Sequence, residues 1–373
     1  MIDLAKRRWG RHFSDKEIAT ARKTGRLLTM EIETSHLCNL RCIYCYNSSG
    51  KKRQNELGYR EIANVIEQAM DLGVQRIIII GGGEPLMHPH ITKIISFIHK
   101  KNLGIDLFTN GTLIDEKMAR FLHDHGVEPV VKMNSLNPKI QDMLTQKTRT
   151  FDRIQRGMEH LLQAGYPDKE GNLGVETIIC SYNYHEIPRM WEWARERDII
   201  PYFEMITFQG RARKRRDLNV PVRDLKVLFE NLAALDREKY GFKWEPHPPI
   251  AALSCSRHEY SCTIDSRGYV QPCTGVDLKV GNIRYDSLKN ILQGSVIIQC
   301  LRNIRRNIKG SCRTCDLVYK CYGCRGLAYH LTGDFLAPDP LCWKNPKHLR
   351  ISKTKEIKKE SCDQRTSRPE PKI

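Results

Sequence analysis

The stretch Leu27-Leu-Thr-Met-Glu-Ile-Glu-Thr34-Ser-His-Leu-Cys38-Asn-Leu-Arg-Cys42-Ile-Tyr-Cys45 decides the fold. Its first eight residues read as a short apolar strand, and three cysteines follow on the loop beyond it. Outward from here the strand recurs. Strands are predicted at Leu27–Thr34, Gln75–Ile80, Ile105–Asn110, Val130–Asn134, Gly174–Cys180 and Tyr202–Thr207. Amphipathic helices are predicted between them, among others at Tyr59–Leu72, Ile91–Lys101, Phe151–Gln163 and Ile187–Glu196. Strand–helix repetition predicts a parallel sheet with outer helices. Six such units make an α/β fold, an open, partial (β/α)6 TIM-like barrel, whose functional residues collect at the C-terminal strand ends.

The composition changes further along. A basic run, Arg211–Arg216, interrupts the repetition, and Val222–Lys239 reads as a bridging helix. From about Pro246 to Trp343 the chain is rich in Cys, Gly and Tyr with little periodicity, so bound metal is expected to hold a core-poor segment together. The expected division is an N-terminal segment at 1–26, the barrel at 27–215, a bridging helix and linker at 216–249, a small Cys-rich domain at 250–345 and a basic, disordered tail at 346–373.

Charge and hydropathy exclude several classes. The longest apolar runs, such as Ile77–Ile80, fall far short of the roughly 18 residues of a membrane helix. Met1–Phe13 is charged and lacks the apolar stretch of a signal peptide, which predicts a cytoplasmic protein. The net charge of +18 invites a nucleic-acid reading, but the excess sits in the N-terminal segment, in Arg211–Arg216 and in the tail after Lys347. Such runs are usually solvated, and an acidic substrate or an acidic electron donor fits them equally well.

Fourteen cysteines in a cytoplasmic chain point to metal rather than disulfides. Cys38, Cys42 and Cys45 can hold three irons of a [4Fe–4S] cluster, leaving the fourth iron open to a small molecule. Another metal, zinc above all, is the alternative, although zinc sites usually pair two close cysteines with a second distant pair. After the second strand comes Gly81-Gly82-Gly83-Glu84-Pro85, whose glycines let the backbone turn sharply against a ligand or simply make a turn.

Together these motifs resemble the radical S-adenosylmethionine (SAM) superfamily. The cysteine spacing with aromatic Tyr44 before the last thiol is similar to that family's hallmark, and Gly82, Gly83, Glu84 and Pro85 match its Gly-Gly-Glu-Pro segment. The resemblance implies that the open iron binds the amino and carboxylate groups of SAM. An electron then breaks the sulfonium carbon–sulfur bond and releases a 5′-deoxyadenosyl radical. Asn110, in Thr109-Asn110-Gly111, and Ser135, in Ser135-Leu136-Asn137, stand where the family places further SAM contacts or, on the plainer reading, where the chain turns. Asn137 replaces the usual acid, and Lys147 or Arg149 is the candidate for the SAM carboxylate.

The second cysteine group resembles the SPASM extension found behind many such barrels, with a pair of zinc ribbons as the alternative. Gly268 precedes Cys273 and Cys315 precedes Cys321 at the expected spacings, whereas Cys321-Tyr-Gly-Cys324 is one residue shorter than the family pattern. The resemblance implies one auxiliary cluster on Cys312, Cys315, Cys321 and Cys342. A second would sit on Cys255, Cys273 and Cys324 with Cys262 as the candidate fourth ligand, so that three [4Fe–4S] clusters are expected. Cys180, Cys300 and Cys362 remain; Cys180, at the end of the fifth predicted strand, is a candidate hydrogen-atom donor or a buried, inert thiol.

The function implied is a SPASM-type maturase or oxidoreductase drawing electrons from a reduced flavodoxin- or ferredoxin-like donor. Its substrate is a peptide or protein or, alternatively, a small molecule that is oxidised, decarboxylated or epimerised in cofactor, haem or sugar biosynthesis. Residues 1–26 are too few for the peptide-binding domain that peptide maturases often carry before the barrel, so a protein substrate would bind directly or through a partner. A non-catalytic iron–sulfur electron carrier is the remaining reading, and Gly82–Pro85 argues against it.

Overall fold

Two helices show why the sheet is covered as it is. Tyr59–Asp71 buries Ile62, Val65, Ile66 and Ala69, and Ile91–Lys100 buries Ile91, Ile94, Ile95 and Ile98. In each, the spacing i, i+3, i+4, i+7 gathers the apolar side chains into one stripe. Those stripes pack on strand residues such as Ile77, Ile79, Ile105 and Leu107 in one continuous core. The computed structural model describes residues 13–168 and 171–345. The tail at 346–373, with Cys362 and its predicted disorder, lies outside the described residues, as do residues 1–12.

The strands are β1 (Thr29–Ile32), β2 (Arg76–Ile79), β3 (Gly104–Thr109), β4 (Val127–Lys132), β5 (Gly174–Ile179) and β6 (Ile200–Met205), all parallel. Helices α1 (Asp15–Thr24), α2 (Tyr59–Asp71), α3 (Ile91–Lys100), α4 (Glu116–Asp124), α5 (Pro138–Thr145), α6 (Thr150–Gln163) and α7 (Ile187–Arg195) precede or link them. Helix α8 (Val222–Lys239) has the bounds read from the sequence. Observed strands end one or two residues before their predicted ends. The polar residues there, such as Asn110 and Asn134, leave the ladder to make side-chain bonds instead. The segment before β1 also carries a helix that hydropathy did not single out: Ser14 and Glu17 form a capping box for α1, and Gly25 ends it at φ 74°.

The sheet does not stop at six strands. Its order is β6-β5-β4-β3-β2-β1-β7-β8-β9, with β7 (Thr263–Ile264) parallel to β1 and β8 (Tyr269–Gln271) and β9 (Gly281–Asn282) antiparallel beyond it. The Cys-rich region thus begins as an extension of the barrel edge. The expectation that it lacks a core needs correction too. Val276, Leu301, Ile304, Ile308, Tyr322, Phe335 and Leu336 form a small core of their own. Those residues come from short, non-periodic segments, which is why no pattern revealed them. Among the described residues no helix is long and apolar enough to cross a membrane.

Candidate active site

The loop after β1 carries Cys38, Cys42 and Cys45, and neighbouring backbone holds it in shape. Cys38 N–H donates to Gly50 O (3.2 Å), Arg41 N–H to Thr145 O (3.1 Å) and Ile43 N–H to Leu144 O (2.9 Å), so α5 supports it from below. Glu33, at the end of β1, accepts from Tyr46 Oη (3.1 Å) and Asn47 Nδ2 (3.0 Å). Burial, then the neighbouring thiol of Cys45, pushes the Cys42 thiol up to about 12. A thiol so buried ionises only when a cation takes the place of its proton, which is what a metal does. Among the described residues no group of three or more His, Cys, Asp or Glu closes to single-ion geometry. Thiols that each meet a different iron of a cluster stand further apart than thiols sharing one ion.

The turn after β2 locks onto this loop. Gly81 and Gly82 take φ of 71° and 69°, and a Cβ on Gly83 would lie 2.1 Å from Leu37 O. That closeness lets Gly83 N–H reach Ser35 O (2.7 Å) and Glu84 N–H reach Leu37 O (2.8 Å). The buried Glu84 carboxylate accepts from Thr109 Oγ1 (2.6 Å), Asn110 N–H (2.7 Å) and Leu86 N–H (3.1 Å), joining the ends of β2 and β3. Asn110 Nδ2 in turn donates to Asn39 Oδ1 on the cysteine loop (2.8 Å). Tyr44 Oη accepts from Asn134 Nδ2 at the end of β4 (2.6 Å). Tyr44, Thr109 and Asn110, with Gly82, Gly83 and Glu84, line one cavity; Pro85 is buried and is not part of that lining.

Four candidate residues fall elsewhere. Ser135 is wholly buried, and its hydroxyl donates to Glu186 Oε2 (2.6 Å) rather than facing the cavity. Lys147 Nζ donates to Asn39 O (3.2 Å) and so braces the loop, while Arg149 is largely exposed beside Asp152. Cys180 is 1 % exposed in the main core and absent from the cavity lining. A hydrogen-atom donor has to touch the substrate, and from that position Cys180 does not.

Cys255, Cys273 and Cys324 line the same cavity as Cys38, Cys42 and Cys45. Cys262, the candidate fourth member, does not join them: it enters β7 with its carbonyl bonded to Glu31 N–H (2.9 Å) and its side chain in the main core. Pairing of β7 with β1 turns it there. Burial pushes its thiol up to about 12, with Arg302 the charge that opposes this. In the other set, burial and then Asp339 raise the Cys342 thiol, with Cys312 and Cys321 adding to the effect. Several of these sulfurs already receive backbone N–H groups: Val276 to Cys273 (3.2 Å), Gly323 to Cys321 (3.2 Å), Leu327 to Cys324 (3.3 Å) and Leu317 to Cys315 (3.5 Å). N–H groups aimed at sulfur favour thiolates, and the buried Arg325, whose Nε and Nη2 have no oxygen or nitrogen partner, lies within side-chain hydrogen-bond reach of the Cys312 sulfur. Both observations fit metal-bound, anionic sulfur.

The cavity measures about 320 Å³. Its apolar wall includes Ile78, Phe108 and Ile178, and charged side chains stand on the inner face of the strands. Lys132 Nζ pairs with Glu176 Oε1 (2.5 Å), and Arg257 pairs with Glu31 Oε1 (2.7 Å). Burial, followed by the Glu176 charge, holds Glu204 well above the ordinary carboxylate range, with Lys132 and Arg257 opposing this. Sequence reading missed these residues. The signal was single charges inside apolar strands, as in Val-Val-Lys132 and Phe-Glu204-Met.

Comparison with known proteins agrees with this geometry. Residues 32–194 match the family model of the radical SAM superfamily, and residues 255–316 match that of the SPASM iron–sulfur cluster-binding domain. An AdoMet-dependent heme synthase of Methanosarcina barkeri is 26% identical over 347 residues, covering 86% of this chain and 97% of its own. Mycofactocin maturase MftC of Mycobacterium tuberculosis is 24% identical over 359 residues, covering 91% and 90%. Among solved structures, Streptococcus suis SuiB bound to S-adenosylmethionine superposes with a TM-score of 0.64 at 18% identity, covering 83% of this chain and 76% of that one. Native anSMEcpe with bound AdoMet gives 0.62 at 18%, covering 80% and 89%.

Proposed function

This chain belongs to the radical SAM superfamily and carries a SPASM iron–sulfur domain behind its barrel, and from that premise we propose that it oxidises a peptide or protein substrate through hydrogen abstraction. Cys38, Cys42 and Cys45 hold the cluster that meets SAM; Gly82, Gly83, Glu84 and Asn110 shape the pocket for its amino acid end, and Tyr44 lies beside it. When bound, that cluster supplies the electron for reductive cleavage of SAM to a 5′-deoxyadenosyl radical. The protein's own part is to hold the substrate against SAM and keep water and stray side chains away. Two auxiliary [4Fe–4S] clusters complete a set of three, one on Cys312, Cys315, Cys321 and Cys342, the other on Cys255, Cys273 and Cys324.

One observation carries the reading: a single cavity runs from the thiols of the β1 loop to Cys255, Cys273 and Cys324. A substrate placed between them can lose a hydrogen atom on one side and an electron on the other. The maturase relative, aligned over nine-tenths of both chains, favours a peptide. The heme synthase relative, aligned over almost its whole length, supports a second reading, a small molecule. The basic surface suits an acidic flavodoxin- or ferredoxin-like donor, and such a donor belongs in the cytoplasm.

Anaerobic, iron-loaded protein with SAM and dithionite is expected to release 5′-deoxyadenosine and methionine; none from fully reduced protein overturns the reading. Peptide and small-molecule fractions are then added separately. The fraction that raises the yield and contains a species of changed mass decides between the two substrates.

A further inference from the structure

Arg325 opens α9 (Arg325–Thr332), one residue past Cys324, and its side chain is turned inward with only 1 % of the residue exposed. Nη1 donates to Phe335 O (3.1 Å) and Ala337 O (2.6 Å), which fixes the guanidinium in place. Nε and Nη2 have no oxygen or nitrogen partner, and the Cys312 sulfur is a side-chain acceptor beside the guanidinium. The nearby carboxylate, Asp339, is wholly buried and accepts from the N–H groups of Cys324 (2.6 Å) and Leu341 (3.0 Å). Leaving donors of a buried cation unpaired is among the more expensive things a fold can do, so a group that accepts from them is expected at that spot.

The position identifies that group. Nη2 lies against the turn that joins Cys321 to Cys324: Gly323, at φ 63°, leaves the room, and a Cβ there would stand 3.0 Å from it. The Cys312 sulfur is within side-chain hydrogen-bond reach of the same guanidinium. Cys312 and Cys321 belong to one auxiliary set and Cys324 to the other, so a single guanidinium stands beside both.

We propose that Arg325 donates hydrogen bonds from Nε and Nη2 to the sulfurs of the auxiliary iron–sulfur sites and raises their reduction potential. The proposal rests on the function proposed above. A fixed positive charge and N–H···S bonds favour the reduced, more negative cluster, and burial leaves the effect little screened by solvent. A raised potential suits sites that accept an electron from an oxidised substrate rather than deliver one to SAM.

The test is a redox titration followed by electron paramagnetic resonance on anaerobic, iron-loaded protein. It is run in a Cys38→Ala, Cys42→Ala, Cys45→Ala background so that only auxiliary signals remain. Arg325→Gln is expected to shift their midpoint potentials downward, and Arg325→Lys, which keeps the charge but loses the fork, to shift them less. Deuterium exchange should move the Fe–S stretching bands of the parent protein and move them less in Arg325→Gln, where only the backbone N–H···S contacts remain. Unchanged potentials and bands at full iron content in Arg325→Gln overturn the proposal; where that variant loses iron, unchanged values in Arg325→Lys do so. A parent protein that takes up no iron overturns the proposed function itself, an outcome distinct from both.

Discussion

Arg211 donates from Nε to the carbonyl oxygen of Cys42 at 2.7 Å, across 169 residues of chain. The same side chain reaches Ser49 O through Nη1 (2.9 Å), and its backbone N–H meets Cys45 O (3.0 Å). The preceding Gly210 takes φ 55°, and a Cβ there would stand 2.1 Å from Tyr46 O, so the close approach admits only glycine. The segment after β6 therefore clamps the cysteine loop from above. A residue that reads as part of a solvated basic run is a positioning residue for the thiols.

Arg211→Ala is expected to loosen that loop. Charged hydrogen bonds of this kind contribute about 1.5–3 kcal/mol each, and groups orienting metal ligands typically affect affinity or activity by about 10–100-fold. Iron at the Cys38 site and the rate of deoxyadenosine formation should both fall by that order, with auxiliary signals retained. Arg211→Lys should restore only part, since an ammonium lacks the fork. Wild-type iron and rate in the alanine variant would contradict the clamp.

Gly83→Ala places a Cβ 2.1 Å from the backbone oxygen of Leu37, where no side chain can swing away. The cysteine loop must shift, and equilibrium binding of SAM by iron-loaded protein is expected to weaken by more than about tenfold, on the order of 1.4 kcal/mol. Gly294→Ala is the control, because nothing lies within 4 Å of a Cβ there. Equal SAM affinity in the two variants would show that the contact does not matter.

The Glu33 carboxyl, pushed up to about 7 by burial and then by Asp265, ties stability to pH. The folded chain keeps a proton that the unfolded chain releases above about 4.5. Stability from this group is thus complete below pH 4.5 and lost as the pH rises to 7, by up to about 3 kcal/mol. Glu33→Gln keeps an acceptor for Tyr46 and Asn47 without the charge. Its stability relative to wild type, from anaerobic denaturant titrations, should increase between pH 5 and 7 and level off above; a difference that stays flat refutes the assignment.

The two cysteine groups should separate by function. Iron-loaded protein is expected to hold about twelve irons, and Cys38→Ala, Cys42→Ala, Cys45→Ala about eight with no deoxyadenosine. Cys315→Ala, Cys321→Ala is expected to keep uncoupled deoxyadenosine formation while losing product formation. Full product formation by a folded form of that variant lacking its cluster would remove any need for the auxiliary site.

Much of the protein was legible one segment at a time. The stripe of α2 and the apolar run of β2 depend on residues within a few positions of each other, so periodicity revealed them. Cys38, Cys42 and Cys45 share one loop, and Gly82–Pro85 another, so their spacing was readable before any folding. The inner charges were not readable in this way. Strand period tells which residues share a face, but only the assembled sheet makes Glu31, Lys132, Glu176 and Glu204 face one cavity.

The sequence by itself determined the strand–helix repetition, the two groups of thiols and the glycine turn that meets the first of them. Only the tertiary structure decided which thiols meet. It brings Cys255, Cys273 and Cys324 to the cavity of the first group, while pairing of β7 with β1 turns Cys262 into the core and Cys180 remains buried behind β5. It also decided that Arg211 grips the Cys42 loop and that the Arg325 side chain, one residue past Cys324, is turned inward. These relationships join residues far apart along the chain, and their geometry comes from sheet order and packing, to which no local spacing is a guide.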